Sequence, residues 1–165
     1  MNADAFRYLY NYHFAENRKI WNYVMALSQE DFTKPVEYSI GSVRDQVVHL
    51  ADVDDVWFSD LRGQDGPTEW LEPMSSADRQ QIRAGWDLIE AGMRQYLETL
   101  QDDMLSDKPL SGEDADLTVW QVLLHVINHG TDHRAQLLRL LNDLGQRTGP
   151  QDLVFHIYEH PYSAD

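Results

Sequence analysis

Hydrophobic positions recur every three or four residues in four long stretches of this chain, and that spacing predicts amphipathic helices. From Asn2 to about Leu27 there is neither Gly nor Pro, and Phe6, Leu9, Tyr10, Ile20, Val24 and Leu27 suit one helical face. Pro35 and Gly41 punctuate the stretch from Ser28 to Gly41. Ser42 then offers an N-cap with Asp45 three residues on, so a second helix is expected from about Val43 to Leu61. Gly63, Gly66, Pro67 and Pro73 make residues 62–74 a loop long enough to cross one end of a bundle. Ser75-Ser76-Ala77-Asp78 offers another cap, followed by Ile82, Trp86, Ile89, Met93, Tyr96 and Leu100 at helical spacing. A polar loop with Pro109 and Gly112 leads to Thr118-Val119-Trp120-Gln121, a capping box that opens a fourth helix running to about Leu144 before Gly145. One short helix fits between Pro150 and Pro161, and the last few residues are expected to be loose. Convincing period-2 alternation and internal repeats are both missing. The predicted class is all-α, a four-helix bundle with a short C-terminal helix.

Composition narrows the picture. The 165 residues suit a single domain spanning 1–165, and 42% hydrophobic residues with five Trp, eight Tyr and five Phe can fill its core. With 28 acidic against 13 basic residues, the net charge of −15 repels nucleic-acid phosphates and anionic membranes, so neither is expected as a partner. No cysteine is present, which removes disulfides, protein thiolate nucleophiles and sulfur-based zinc sites. The amino terminus lacks the pattern of a secretory signal and no stretch runs apolar for about 18 residues, so a soluble, cytoplasmic protein is expected.

The chemistry that remains lies in the histidines. The fourth helix carries His125, His129 and His133 at i, i+4 and i+8, a spacing that stacks side chains about 6 Å apart on one face. Projected at about 100° per residue with His129 at zero, Val122, Val126, Leu137, Leu140 and Leu144 centre an apolar stripe near +60°. His133, near +40°, falls within it, His129 lies at its edge, and His125, near −40°, points toward the polar flank. His129 and His133 are therefore the better pair. Two readings stay open: buried imidazoles satisfied by hydrogen bonds, or ligands of a divalent ion. In the second helix His49 shares a face with Val53 and Val56 and is expected to point inward, offering a third nitrogen. Three histidines would leave one coordination position open, the arrangement of catalytic rather than structural sites.

Other candidates are weaker. His156 and His160 also stand four apart, but near a chain end. His13 is alone and could approach the same cavity, although packing is its expected role. Asp52, Asp54 and Asp55 could accept hydrogen bonds from ligands or act as bases, although an acidic run on a helix ordinarily marks a solvated face. No catalytic residue is assigned. Glu-x-x-His is missing from the second and fourth helices, as are His-Glu-x-x-His, Gly-x-Ser-x-Gly and the glycine-rich phosphate loops, so carboxylate-rich di-iron chemistry and several other enzyme classes lose their signature.

These residues carry a resemblance. The segment Leu124 to Gln136, with Asn128-His129 and His133-Arg134-Ala135-Gln136, closely resembles the last core helix of DinB-like proteins. Ser42 to Trp57, containing His49-Leu50-Ala51-Asp52, is similar to that family's second helix, and Tyr10 to Asn17 to its first. The resemblance implies an antiparallel four-helix bundle, usually a homodimer, that binds one divalent ion through His49, His129 and His133, with Zn or Ni foremost and Fe or Mn as further options. Asp132 stands where His is frequent and Ala135 where Gly is usual. The first is no ligand position, whereas the second bears on how closely the fourth helix approaches its neighbour.

Three functions follow as expectations. The leading one is a metal-dependent S-transferase or related enzyme that uses a low-molecular-weight thiol such as bacillithiol or mycothiol on a small-molecule substrate, as relatives in the resembled family do. The second is a metal-dependent hydrolase. The third is a non-enzymatic, stress-related dimeric module that binds metal for stability or sensing. The family's name refers to DNA damage induction and not to DNA binding.

Overall fold

The structure is a computed structural model that describes residues 1–64, 74 and 77–162. Most of the loop expected at 62–74, the cap residues Ser75 and Ser76, and the terminal residues 163–165 lie outside the described residues. Among the described residues all regular structure is helical, in six α-helices and two short 3-10 turns.

Local chemistry places the helix starts. α1 (Ala3–Met25) begins where the Asn2 side chain accepts the Ala5 N–H at 3.0 Å. α2 (Gln29–Thr33), one turn long, follows Ser28, whose hydroxyl accepts from Asp31 N–H. α3 (Val43–Leu61) opens with a reciprocal box: Ser42 Oγ accepts from Asp45 N–H at 3.2 Å, and the Asp45 carboxylate accepts from Ser42 N–H at 2.8 Å. α4 (Arg79–Thr99) is capped by Asp78 with Gln81 in the same way. α5 (Val119–Asp143) starts with Gln121 reaching back to Thr118 N–H at 2.9 Å. α6 is the short C-terminal helix Leu153–Glu159. The four long helices fall where hydrophobic spacing put them, and α6 lies between the two prolines expected to bracket it. α2 and the turns at Asp103–Ser106 and Gly112–Asp114 were too short to carry a periodic signal.

Side-chain pairs give the relative directions of the helices. Arg7 reaches the carbonyls of Leu97 and Leu100, and Arg18 meets Glu90, so α1 and α4 are antiparallel. His49 faces His129 while Trp57 faces His125, so α3 and α5 are antiparallel as well. Tyr10 donates to the Leu123 carbonyl and Asn17 accepts from Arg134, which makes α1 and α5 parallel. Asp54 meets Trp86 and Phe58 meets Tyr96, so α3 and α4 are also parallel. The long helices thus run up, down, down, up.

The four stripes meet in one core that includes Phe6, Tyr10, Phe14, Val47, Leu50, Phe58, Trp86, Met93, Val122, Val126 and Leu137. No helix among the described residues is long and apolar enough to cross a membrane.

Candidate metal centre

The two ligand-bearing helices are the antiparallel pair α3 and α5. Packed side by side, they bring His49 opposite both His129 and His133 across their seam. Ring centroids lie 5.1 Å apart for His49 and His129, 4.7 Å for His49 and His133, and 4.2 Å for His129 and His133. One ring nitrogen from each residue falls within 4.8 Å of the other two, and among the described residues no second group of three such donors exists.

The three histidines are half-buried on the flank of the core and not in its centre. This corrects two expectations. On α5 the buried face also includes Leu123, Ile127, Arg134 and Leu141, which moves its centre from about +60° to about +90° and leaves His133 at the edge. On α3, Val56 is exposed, and the inward face runs instead through Val47, Leu50, Ala51, Asp54 and Phe58. A flank position leaves the three rings partly exposed, as chemistry on an external molecule requires.

The donor set fits a divalent ion. His49 Nε2 and His129 Nε2 stand 3.2 Å apart. Zn–N bonds of about 2.0–2.1 Å at tetrahedral angles hold their nitrogens about 3.3 Å apart, so the observed spacing is compatible with two ligands on one ion as well as with an N–H···N hydrogen bond. His133 Nδ1 is buried and has no hydrogen-bond partner. Electrostatics agree, because a ligand imidazole must present a free lone pair. Burial, followed by the neighbouring imidazoles His133, His49 and His125, pushes His129 down to about 4 against partial opposition from Asp54. Burial and His133 lower His49, and burial lowers His133 against the charge of Asp132. All three rings are consequently neutral at pH 7.

The remaining candidates divide. His125 is exposed, 5.9 Å from His129 between ring centroids, and packs edge-on against Trp57 at 5.1 Å. Asp132 is exposed and accepts from Gln136. Ala135 faces outward, so its methyl group does not set the approach of α5 to any neighbour. The rings of His156 and His160 lie 4.8 Å apart and His156 packs against Tyr8 and Tyr12, with no third donor among the described residues.

Sequence reasoning missed a polar cluster just beneath the seam. Asp54, read as part of a solvated acidic face, is 2% exposed, and Arg134, His13 and Asn17 are buried with it. The signal was in the spacing, since Asp54 stands four residues from Leu50 and Phe58 and Arg134 seven from Ile127 and Leu141, but a charged residue is ordinarily exposed and was read so.

The sequence model of the DinB family matches residues 1–162. A curated relative, Protein DinB of Bacillus subtilis (strain 168), is 26% identical over 168 residues, and the match covers 96% of each chain.

Proposed function

Because the chain belongs to the DinB family, we propose that His49, His129 and His133 hold one divalent ion and that the protein transfers a low-molecular-weight thiol to a small electrophile. The observation that carries this reading is the convergence of three neutral imidazole donors within 4.8 Å. Three nitrogen ligands and no thiolate suit Zn or Ni, with Fe or Mn as further options. When bound, such an ion supplies a Lewis acid that makes a neighbouring thiol easier to deprotonate near neutral pH.

The protein's own part is to orient and to admit. α3 and α5 hold the imidazoles with their lone pairs converging, and the flank position gives a small molecule access beside Trp57 and His125. In the reaction the thiol sulfur forms a bond to the electrophilic carbon, the leaving group departs with its electron pair, and the thiol proton is released. Because the chain has no cysteine, no protein thiol competes for the ion or the electrophile. A cytoplasmic homodimer belongs to the same reading, on the strength of the family resemblance.

Turnover of a model electrophile with several low-molecular-weight thiols, with and without added Zn or Ni, tests this function. A metal-dependent rate with at least one thiol is expected. Absence of such a rate with every thiol overturns thiol transfer, and metal-dependent cleavage of esters or amides without thiol would replace it by hydrolysis.

A further inference from the structure

The buried polar cluster joins the same two helices that carry the three histidines. α3 bears His49 and, five residues later, Asp54; α5 bears His129 and, five residues later, Arg134. The His13 ring of α1 lies between them. Its Nε2 is 3.2 and 3.3 Å from the two Asp54 carboxylate oxygens, and its Nδ1 is 3.1 Å from Arg134 Nη1.

Donor chemistry fixes the state of this ring. A guanidinium only donates, so His13 Nδ1 must accept, and the ring proton resides on Nε2, where it is donated to Asp54. The other tautomer would set two donors against each other at Nδ1 and a lone pair against a carboxylate at Nε2. Asn17 completes the joint: its Oδ1 accepts from Arg134 Nη1 at 2.9 Å and its Nδ2 donates to Asp54 at 3.5 Å, while the 3.1 Å contact of Nδ2 with the protonated His13 Nε2 sets two donors side by side and is no hydrogen bond. Trp86 Nε1 also donates to Asp54, at 3.5 Å. His13 and Arg134 are fully buried.

The fit around His13 is tight on the side of α5. A Cβ on Gly130, the residue after His129, would sit 2.6 Å from His13 Cε1 and 2.9 Å from its Nδ1. The ring therefore rests on the bare backbone of α5 beside a candidate ligand. Sliding α5 along α3 by one residue, about 1.5 Å, would break both of its polar contacts. Metal ligation tolerates only a few tenths of an ångström, so such a joint has a direct bearing on the donors one and a half turns away.

We propose that His13 is a positioning residue for the metal centre, a neutral strut between Asp54 and Arg134 that holds α3 and α5 in the register at which His49, His129 and His133 converge. The inference rests on the metal-binding reading above. His13 touches neither ion nor substrate, and its effect passes through the two helices.

The test is Zn affinity by chelator competition, together with the visible spectrum of the Co-substituted protein, for wild type, His13→Ala, Asp54→Asn and Met93→Ala. Met93 is a buried core residue on α4 and controls for general loss of stability. His13→Ala should bind Zn on the order of 10–100-fold more weakly and alter the Co spectrum, while Met93→Ala keeps both. Should His13→Ala fail to fold, the nearly isosteric Asp54→Asn carries the test, with weaker binding again expected. Wild-type affinity in the folded variants, or an equal loss in Met93→Ala, overturns the positioning role while leaving metal binding intact. A wild type that binds neither Zn nor Co removes the metal-binding reading and this inference with it.

Discussion

His49 and His129, eighty residues apart in sequence, place their Nε2 atoms 3.2 Å from each other across the antiparallel seam of α3 and α5. Two neutral imidazoles at that distance either share one proton or direct two lone pairs at a common cation. With His133 closing the triangle, the second arrangement uses all three rings.

Elemental analysis of purified protein should therefore find about one divalent ion per chain, and none in the His129→Ala/His133→Ala double variant. A wild type that emerges empty and refuses added Zn and Ni would contradict the site.

Ion binding should also stabilise the fold. At free metal a thousandfold above Kd the gain is about 4 kcal/mol, on the order of 10 °C in melting temperature for a chain of this size. Differential scanning calorimetry with and without chelator measures it, and identical melting curves would count against a site that forms only in the folded chain.

The metal-free protein should lose stability on acidification through a particular window. His129 titrates near 4 in the folded chain, below the ordinary histidine value of about 6.5, so between those limits the unfolded chain binds more protons than the native one. Its contribution is complete above about pH 6.5 and disappears as the pH falls toward 4. Urea midpoints at pH 7 and 4.5 should fall further for wild type than for His129→Gln; equal falls would show that this imidazole is not held neutral by burial.

Gly130 should respond against the expectation from helix propensity and Ala135 in line with it. Replacing a mid-helix Gly by Ala ordinarily stabilises by about 1 kcal/mol. At Gly130 the added methyl meets His13 at 2.6 Å, and overpacking of this kind costs about 1–3 kcal/mol, so Gly130→Ala should destabilise. Ala135→Gly, on the exposed face, should cost only the propensity difference of about 1 kcal/mol. Chemical denaturation of the two variants decides, and a more stable Gly130→Ala would mean that His13 yields easily.

Much of the bundle was legible because its signals are local. Ser42 with Asp45 and Thr118 with Gln121 mark helix starts within four residues, and hydrophobic spacing marks the faces. His129 and His133 stood out for the same reason, being one turn apart. What stayed hidden depends on partners distant in sequence. Asp54 is buried because His13, Asn17 and Trp86 converge on it from α1 and α4, and Arg134 because His13 and Asn17 meet it. Read singly, each of these charges belongs on a surface, and only their mutual neutralisation makes burial tolerable. The centre of the α5 stripe was drawn too close to His133 for a simpler reason, because Leu123, Ile127 and Leu141 were left out of it along with Arg134.

The up, down, down, up course of the helices sets when the three imidazoles can meet during synthesis. His49 emerges with α3, but its counterparts are made only after α4 and the turns that follow it, so a nascent chain ending before Val119 lacks two of the three donors. An ion captured by the finished protein would bridge an eighty-residue span enclosing all of α4, acting as a reversible crosslink where a chain without cysteine can form no covalent one.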